Sequence, residues 1–292
     1  MPVLSLGAWR AITLESGRFG LDGGAMFGSV PKTIWGKTNP ADERNRIRLA
    51  MRLLLIEGEG RRILVDTGIG NKFAPKYEDI YAIDHSRSTL ESGLAGLGLA
   101  LDDITDCVLT HLHFDHAGGA TARDGDRLRA RFPRARYYVQ RANHDAAREP
   151  NLRERASYLP ENFAPLMESG VLTLWEGAQS PWPGISLWTA DGHTRGQQFV
   201  RVEGGGRVLY YVADLIPTAS HVRVPYVMGY DVEPLRTMDE KAAFLSRACD
   251  EGAWVCLEHD PDIALARPVR KDPDFAWSET VRADVGATAS AS

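Results

Sequence analysis

The segment 108–119, VLTHLHFDHAGG, places three of the chain's 8 histidines and one aspartate within six residues. Side chains alternate along an extended segment, so His111, His113 and Asp115 can face the same way. His116 follows directly and faces elsewhere unless the chain turns, which Gly118 and Gly119 make easy. One loop can therefore aim two imidazoles at one point and a carboxylate plus an imidazole at a second point nearby. Neutral imidazole and carboxylate suit zinc, manganese, iron or cobalt. A catalytic zinc usually takes three protein ligands and leaves a position for water. The loop offers two ligands to each of two ions, and His193, Asp214 and His259, each at the end of an apolar run, are the donors available to complete them. A polar loop without metal is the alternative, and the three later donors count against it.

The elements that must position these residues recur. Residues 51–70, MRLLLIEGEGRRILVDTGIG, read as strand, Gly-bearing turn and strand leading to Asp66. Residues 197–216, QQFVRVEGGGRVLYYVADLI, read the same way and lead to Asp214. A helix signal follows each hairpin, with Ser88 three before Glu91 and Thr237 three before Glu240, as in a capping box. Each helix is followed by a short apolar strand, CVLTH or WVCLEH, that stops at His111 or His259. The repeated order predicts two pseudo-repeated α/β halves facing each other. Between them ARYYVQ, VLTLWEG and ISLWTADGH read as further strands, the last ending on His193. No linker-like tract divides the chain. A single domain over 1–292 is expected, with the small polar tail, about 284–292, fraying.

Composition excludes several classes. Of 292 residues 43% are hydrophobic and 25% charged, an ordinary globular balance. The net charge is −5, and the one Arg-dense run, RDGDRLRARFPRAR, mixes both signs and reads as a solvated face, so nucleic acid is not an expected partner. No apolar run approaches the ~18 residues of a membrane span, and no secretion signal opens the chain, so no membrane association and a cytoplasmic location are expected. Cys107, Cys249 and Cys256 are widely spaced and imply neither a disulfide framework nor a zinc knuckle. Cys107 and Cys256 read as small core residues.

Taken in order, these motifs resemble the metallo-β-lactamase superfamily. H-x-H-x-D-H is complete as His111, His113, Asp115 and His116; the third-motif histidine matches His193 in DGHTRGQ, the bridging aspartate Asp214 in VADL, and the final histidine His259 in LEHD. The resemblance runs from VDTG, at Asp66, to His259. It implies a four-layer αβ/βα sandwich with a dinuclear centre at one edge of two facing sheets. It also implies one ion held by His111, His113 and His193, the other by Asp115, His116 and His259, and Asp214 bridging both. Asp66 resembles the family's supporting carboxylate beneath the metal loop, a role compatible with capping the turn. The expected cofactors are two divalent ions, zinc first, with manganese, iron or cobalt suited to the same ligands. A hydroxide bridging two such ions is available at neutral pH and can attack an ester, lactone, thioester or phosphoester, with Asp115 and Asp214 as the catalytic carboxylates. No G-x-S-x-G elbow occurs, so a serine hydrolase gains no support.

Within the family, Asp214 stands where some β-lactamases carry a cysteine ligand, and Phe114 where di-iron flavoproteins carry glutamate. The basic surfaces and extra domain of the nucleases are missing, and a glutathione-binding basic tail as in glyoxalase II is not identified. The chain is most similar to the N-acyl-homoserine lactonase and organophosphate-hydrolase-like branch, whose N-terminal segment LDGGAMFGSVPKTIW resembles. Lactonase-like hydrolysis of a neutral small-molecule ester or lactone is therefore expected. The alternatives are a phosphotriester hydrolase, a glyoxalase II-like thioesterase, a mononuclear iron persulfide dioxygenase, or ligand binding around structural ions. One departure stands out: Pro217 occupies the position, three after the bridging aspartate, where the lactonases place a tyrosine. His221, Tyr226 or Tyr230 could act there instead. Met26, Phe27 and Trp35 are candidate pocket walls, and segment 26–35 also reads as a buried arm, a lid or a homodimer contact. His85 and His144 read as solvated, and Trp175, Trp182 and Trp188 as core packing.

Overall fold

The computed structural model describes residues 1–283; the tail expected to fray lies outside them. Two seven-stranded mixed sheets form the centre. The first runs, in spatial order, Val3–Leu6, Trp9–Asp22, Arg46–Gly58, Arg61–Val65, Asp106–Val108, Arg136–Gln140 and Leu172–Trp175. The second runs Gln179–Trp182, Ile185–Ala190, Gln197–Gly204, Arg207–Tyr211, Trp254–Cys256, Ile263–Lys271 and Asp274–Arg282. The pseudo-repeat is written in the pairing. In each half an antiparallel hairpin is followed by a parallel strand: Arg61–Val65 beside Asp106–Val108, and Arg207–Tyr211 beside Trp254–Cys256. A parallel neighbour requires a long crossover, and these carry the helices Leu90–Ala95 and Pro234–Asp250.

Burial on both faces explains why the hairpin strands are almost continuously apolar. Leu54, Ile56, Ile63 and Val65 face Leu187, Val200, Val202 and Tyr211 across the gap between the sheets. Their alternates Leu53, Leu55 and Leu64 turn outward onto Leu90, Leu94, Phe163 and Leu166. On the far side Tyr210 and Val255 pack on Phe244, Leu245 and Ala248 of the long helix. The order helix, sheet, sheet, helix is the expected four-layer sandwich. Cys107 and Cys256 are buried in it, and Trp175 stacks on Tyr138 while Trp182 meets it edge-on. Among the described residues no helix is long and apolar enough to cross a membrane.

Four local expectations are corrected. The first capping box uses Thr89 and Ser92, with Ser92 N donating to Thr89 Oγ1 (3.0 Å) and Thr89 N to Ser92 Oγ (2.8 Å); the neighbouring Ser88/Glu91 pair is displaced by one residue. The long helix starts at Pro234, whose missing N–H costs nothing in a first turn, so Thr237 lies inside the helix. Glu240 caps another segment instead, accepting from Asp191 N and Gly192 N (both 2.9 Å). His144 is buried, edge-on to Phe163, rather than solvated. His85 is half-buried, its ring nitrogens facing the carbonyls of Ser16 (3.1 Å) and Gly70 (3.0 Å).

Candidate metal centre

The site forms where strands end. Beyond Asp106–Val108 the chain bends at Thr110 and runs without regular structure to an extended His113, and a single helical turn, Phe114–Ala117, then begins. The reversal thus comes before the glycines, and Asp115 and His116 leave on the turn rather than by strand alternation. Gly118 and Gly119 serve close approach: a Cβ there would stand 2.0 Å from Ile69 O and 2.2 Å from Thr67 O. Asp66 sits in this contact with φ +58°, a left-handed conformation that Asp tolerates better than most residues. Its Oδ1 accepts from Thr110 N and its Oδ2 from Thr110 Oγ1, both at 2.7 Å, which fixes the residue before His111.

From the other side Glu240 pins the turn before His193. Asp214 lies in the short 3-10 turn Ala213–Leu215 after its strand. His259 is held by its own N–H donating to Pro217 O and by Ala50 N donating to His259 O, both at 3.0 Å. Arg52, buried in the first sheet, donates to the carbonyls of Leu257, Asp260 and Ile263 around it.

These elements bring the predicted donors together. Donor atoms of His111, His113, His193 and Asp214 lie within 4.8 Å of one another, and so do those of Asp115, His116 and His259. His113 Nδ1 is 3.1 Å from His111 Nε2 and 3.2 Å from His193 Nε2; His116 Nε2 is 3.3 Å from His259 Nε2. Asp214 reaches both sets, with Oδ2 3.2 Å from His193 Nε2 and 3.5 Å from His116 Nε2, and Oδ1 3.2 Å from His259 Nε2.

The outward nitrogens decide what these contacts are. His193 Nδ1 faces Asp231 Oδ1 (2.8 Å), His259 Nδ1 faces Ala50 O (2.9 Å), His116 Nδ1 faces Asp66 Oδ2 (3.1 Å), and His111 Nδ1 faces Thr110 Oγ1 (3.1 Å). Thr110 Oγ1 has already given its proton to Asp66, so it accepts here. Each acceptor assigns the imidazole proton to the outer nitrogen and leaves a lone pair on the inner one. On the neutral rings the inner nitrogens therefore converge as lone pairs, beside a buried Asp214 Oδ1 without a hydrogen-bond partner among the described residues. Such an arrangement repels itself and suits a cation. Nitrogens at about 2.0–2.1 Å from one zinc stand about 3.3 Å apart, close to the spacings seen. The donor set fits divalent metal.

Acid–base balance within the cage follows the carboxylates. Burial raises the Asp214 carboxyl, but His193, His116 and His259 outweigh it and hold it well below the usual range. Burial disfavours charge on His259, yet Asp214 and Glu258 lift it to about 9, so without an ion the inner nitrogen carries a proton that a bound cation would displace. At His116 burial is likewise overcome by Glu258, Asp115 and Asp214. His111 goes the other way, lowered by burial and by the neighbouring imidazoles. Glu258 is fully buried 3.2 Å from His116 Nδ1, and burial pushes its carboxyl up to about 7.

A cavity of about 280 Å³ opens over the cage. His113, Asp115, His193, Asp214 and His259 lie at its floor, and Leu21, Met26, Tyr81, Phe114, Met228 and Tyr230 make largely apolar walls, with Arg153 and Glu154 at one side. Of the six residues expected to shape the pocket, Met26 and Tyr230 line it, whereas Phe27, Trp35, His221 and Tyr226 do not. His221 lies behind the wall, stacked on Phe27 (4.5 Å, 13°), its nitrogens engaged by Thr218 Oγ1 (2.7 Å) and Met26 O (2.8 Å). Trp35 is buried and stacked on Phe27, so segment 26–35 is anchored at its two ends by Met26, Phe27 and Trp35 while Gly28, Ser29 and residues 31–34 between them are exposed, with Met26 at the cavity edge. Asp231, Glu258 and Glu154 were missed. Glu258 precedes His259 directly, but Asp231 and Glu154 carry no local signal.

Comparisons with known proteins agree with this geometry. The profile of the Metallo-beta-lactamase superfamily matches residues 53–259. A probable metallo-hydrolase of Mycobacterium tuberculosis is 30% identical over 251 residues, covering 76% of this chain and 78% of its own. An N-acyl homoserine lactonase of Bacillus cereus is 28% identical over 201 residues, covering 65% and 73%. The crystal structure of a probable metal-dependent hydrolase from Staphylococcus aureus superposes with a TM-score of 0.89 at 29% identity, over 97% of this chain and 100% of that one.

Proposed function

This chain belongs to the metallo-β-lactamase superfamily, and from that premise we propose that it is a dinuclear metallohydrolase, one domain throughout, that opens a lactone or ester. The observation that carries the reading is the ring of inward lone pairs, set by acceptors on the outer nitrogens. His111, His113 and His193 would hold one divalent ion, zinc first, and Asp115, His116 and His259 a second, with Asp214 between them. Such ions supply an activated water at neutral pH and a Lewis acid for the scissile carbonyl. Asp115, at the cavity floor, accepts a proton from the attacking water and orients it. Tyr230 takes the part left open by Pro217. Its phenol lines the cavity, makes no hydrogen bond among the described residues, and is kept protonated by burial and by Asp22 and Asp115. It can therefore donate to the carbonyl or leaving oxygen. Pro217 contributes its carbonyl to His259 instead.

The apolar walls suit a neutral acyl group, and similarity to the N-acyl homoserine lactonase of Bacillus cereus supports testing lactones first. The test is a panel of acyl lactones, aryl esters, thioesters and phosphotriesters, assayed with protein loaded with zinc, manganese, iron or cobalt, with and without chelator. Chelator-sensitive turnover with the highest kcat/KM on lactones is expected. Preference for thioesters or phosphotriesters would reassign the substrate, and no turnover by metal-loaded protein would defeat the proposal.

A further inference from the structure

We infer that Glu154 is a positioning residue for His113 and that it sets how tightly the group His111, His113, His193 and Asp214 holds its ion. The inference rests on the metal reading above. His113 differs from the other four histidines of the cage, because it turns Nδ1 inward, 3.1 and 3.2 Å from His111 Nε2 and His193 Nε2. An inward lone pair on Nδ1 requires the proton on Nε2, the reverse of the tautomer that the other rings carry. Nε2 of His113 is buried and has no hydrogen bond among the described residues. The group that faces it is the Glu154 carboxylate, with Oε1 3.5 Å away. A shift of a few tenths of an ångström converts that contact into a charge-assisted hydrogen bond.

The carboxylate is held for this purpose. Asn151 Oδ1 accepts from Arg153 N (2.8 Å) and Glu154 N (3.0 Å), fixing the turn, while Asn151 Nδ2 donates to Glu154 Oε2 (2.5 Å). Thr194 Oγ1 donates to Oε1, so the same oxygen that faces His113 is tied to the residue after His193. The segment is also zipped onto the metal loop, with Phe114 N donating to Ser157 O (2.9 Å) and a bridge between His113 and Tyr158. Glu154 thus touches the surroundings of two nitrogen donors of one group. The other group has supports of its own, Asp66 and Glu258 behind His116 and Ala50 O behind His259. An outer acceptor of this kind is typically worth about 10–100-fold in metal affinity.

The experiment is a two-site zinc titration by chelator competition on wild type, E154Q and E154D, paired with cadmium-113 NMR to tell the nitrogen-rich group from the other. E154Q keeps the shape and removes the charge; E154D keeps the charge and draws it back by one methylene, and serves if E154Q does not fold. Expected is a 10–100-fold weaker affinity at one site in E154Q, a smaller loss in E154D, and a shift of the nitrogen-rich cadmium resonance alone. Unchanged affinities in the folded variants, or equal weakening at both sites, would overturn the inference while leaving the metallohydrolase reading intact. A wild-type protein that binds no zinc or cadmium would defeat that reading and this inference with it.

Discussion

The guanidinium of Arg52 donates at 2.8 Å to the main-chain oxygen of Asp260, 208 residues later in the chain and next to His259. Arg52 is 2% exposed, and it also serves the carbonyls of Leu257 and Ile263. A buried cation on one half thus gathers the loop that bears the last histidine of the other half. Replacing it by methionine leaves several buried carbonyls without a donor, at about 1–3 kcal/mol for each group left unpaired. R52M should lower stability by several kcal/mol in urea unfolding. It should also weaken zinc at the Asp115, His116 and His259 group more than at the other.

Asp66 combines two roles that substitutions can separate. Its backbone is left-handed, and its carboxylate serves Thr110 and His116. Asparagine tolerates the backbone and can still accept from Thr110 N, whereas alanine does neither. Thermal unfolding should therefore rank wild type above D66N and D66N above D66A, with D66A losing about 2–4 kcal/mol. Both variants should bind zinc about 10–100-fold more weakly at the group containing His116.

The clustering of these histidines and aspartates was legible in the sequence because lone-pair side chains at the ends of apolar strands have few structural uses. The two halves were legible because each repeats one order of hairpin, helix and strand. What supports the cluster from behind was not. Asp231 reaches His193 from 38 residues away, and Glu154 reaches His113 from a loop with ordinary polar composition. The capping boxes were misplaced because Ser88 and Thr89 are adjacent and because Glu240 is used by a distant turn. His144 looked solvated among polar neighbours, and its burial against Phe163 is a tertiary contact that periodicity does not record. His221, Phe27 and Tyr226 sit near the cavity in sequence order, but packing turns the His221 ring onto Phe27 instead of into the cavity.

His221 predicts a pH dependence. Burial, reinforced by the nearby Lys241 ammonium, pushes its imidazole down to about 3. The unfolded chain takes up this proton near pH 6.5, and the folded chain refuses it until about 3. The unfolded state thus binds more protons in this window, so stability falls as pH drops through it, by up to about 1.4 kcal/mol per pH unit. H221F removes that dependence along with two hydrogen bonds. It should be less stable than wild type at pH 7, and the gap should narrow as pH falls toward 4, as read by urea unfolding at each pH. A gap that stays constant would contradict a neutral, buried His221.

Metal stoichiometry tests the central claim most directly. The protein is loaded with excess zinc, freed of unbound ion, and analysed by elemental mass spectrometry against protein concentration. Two zinc ions per folded chain is the result the paired donor groups require. A folded chain that retains none, or only one, contradicts a dinuclear centre at His111, His113, Asp115, His116, His193, Asp214 and His259.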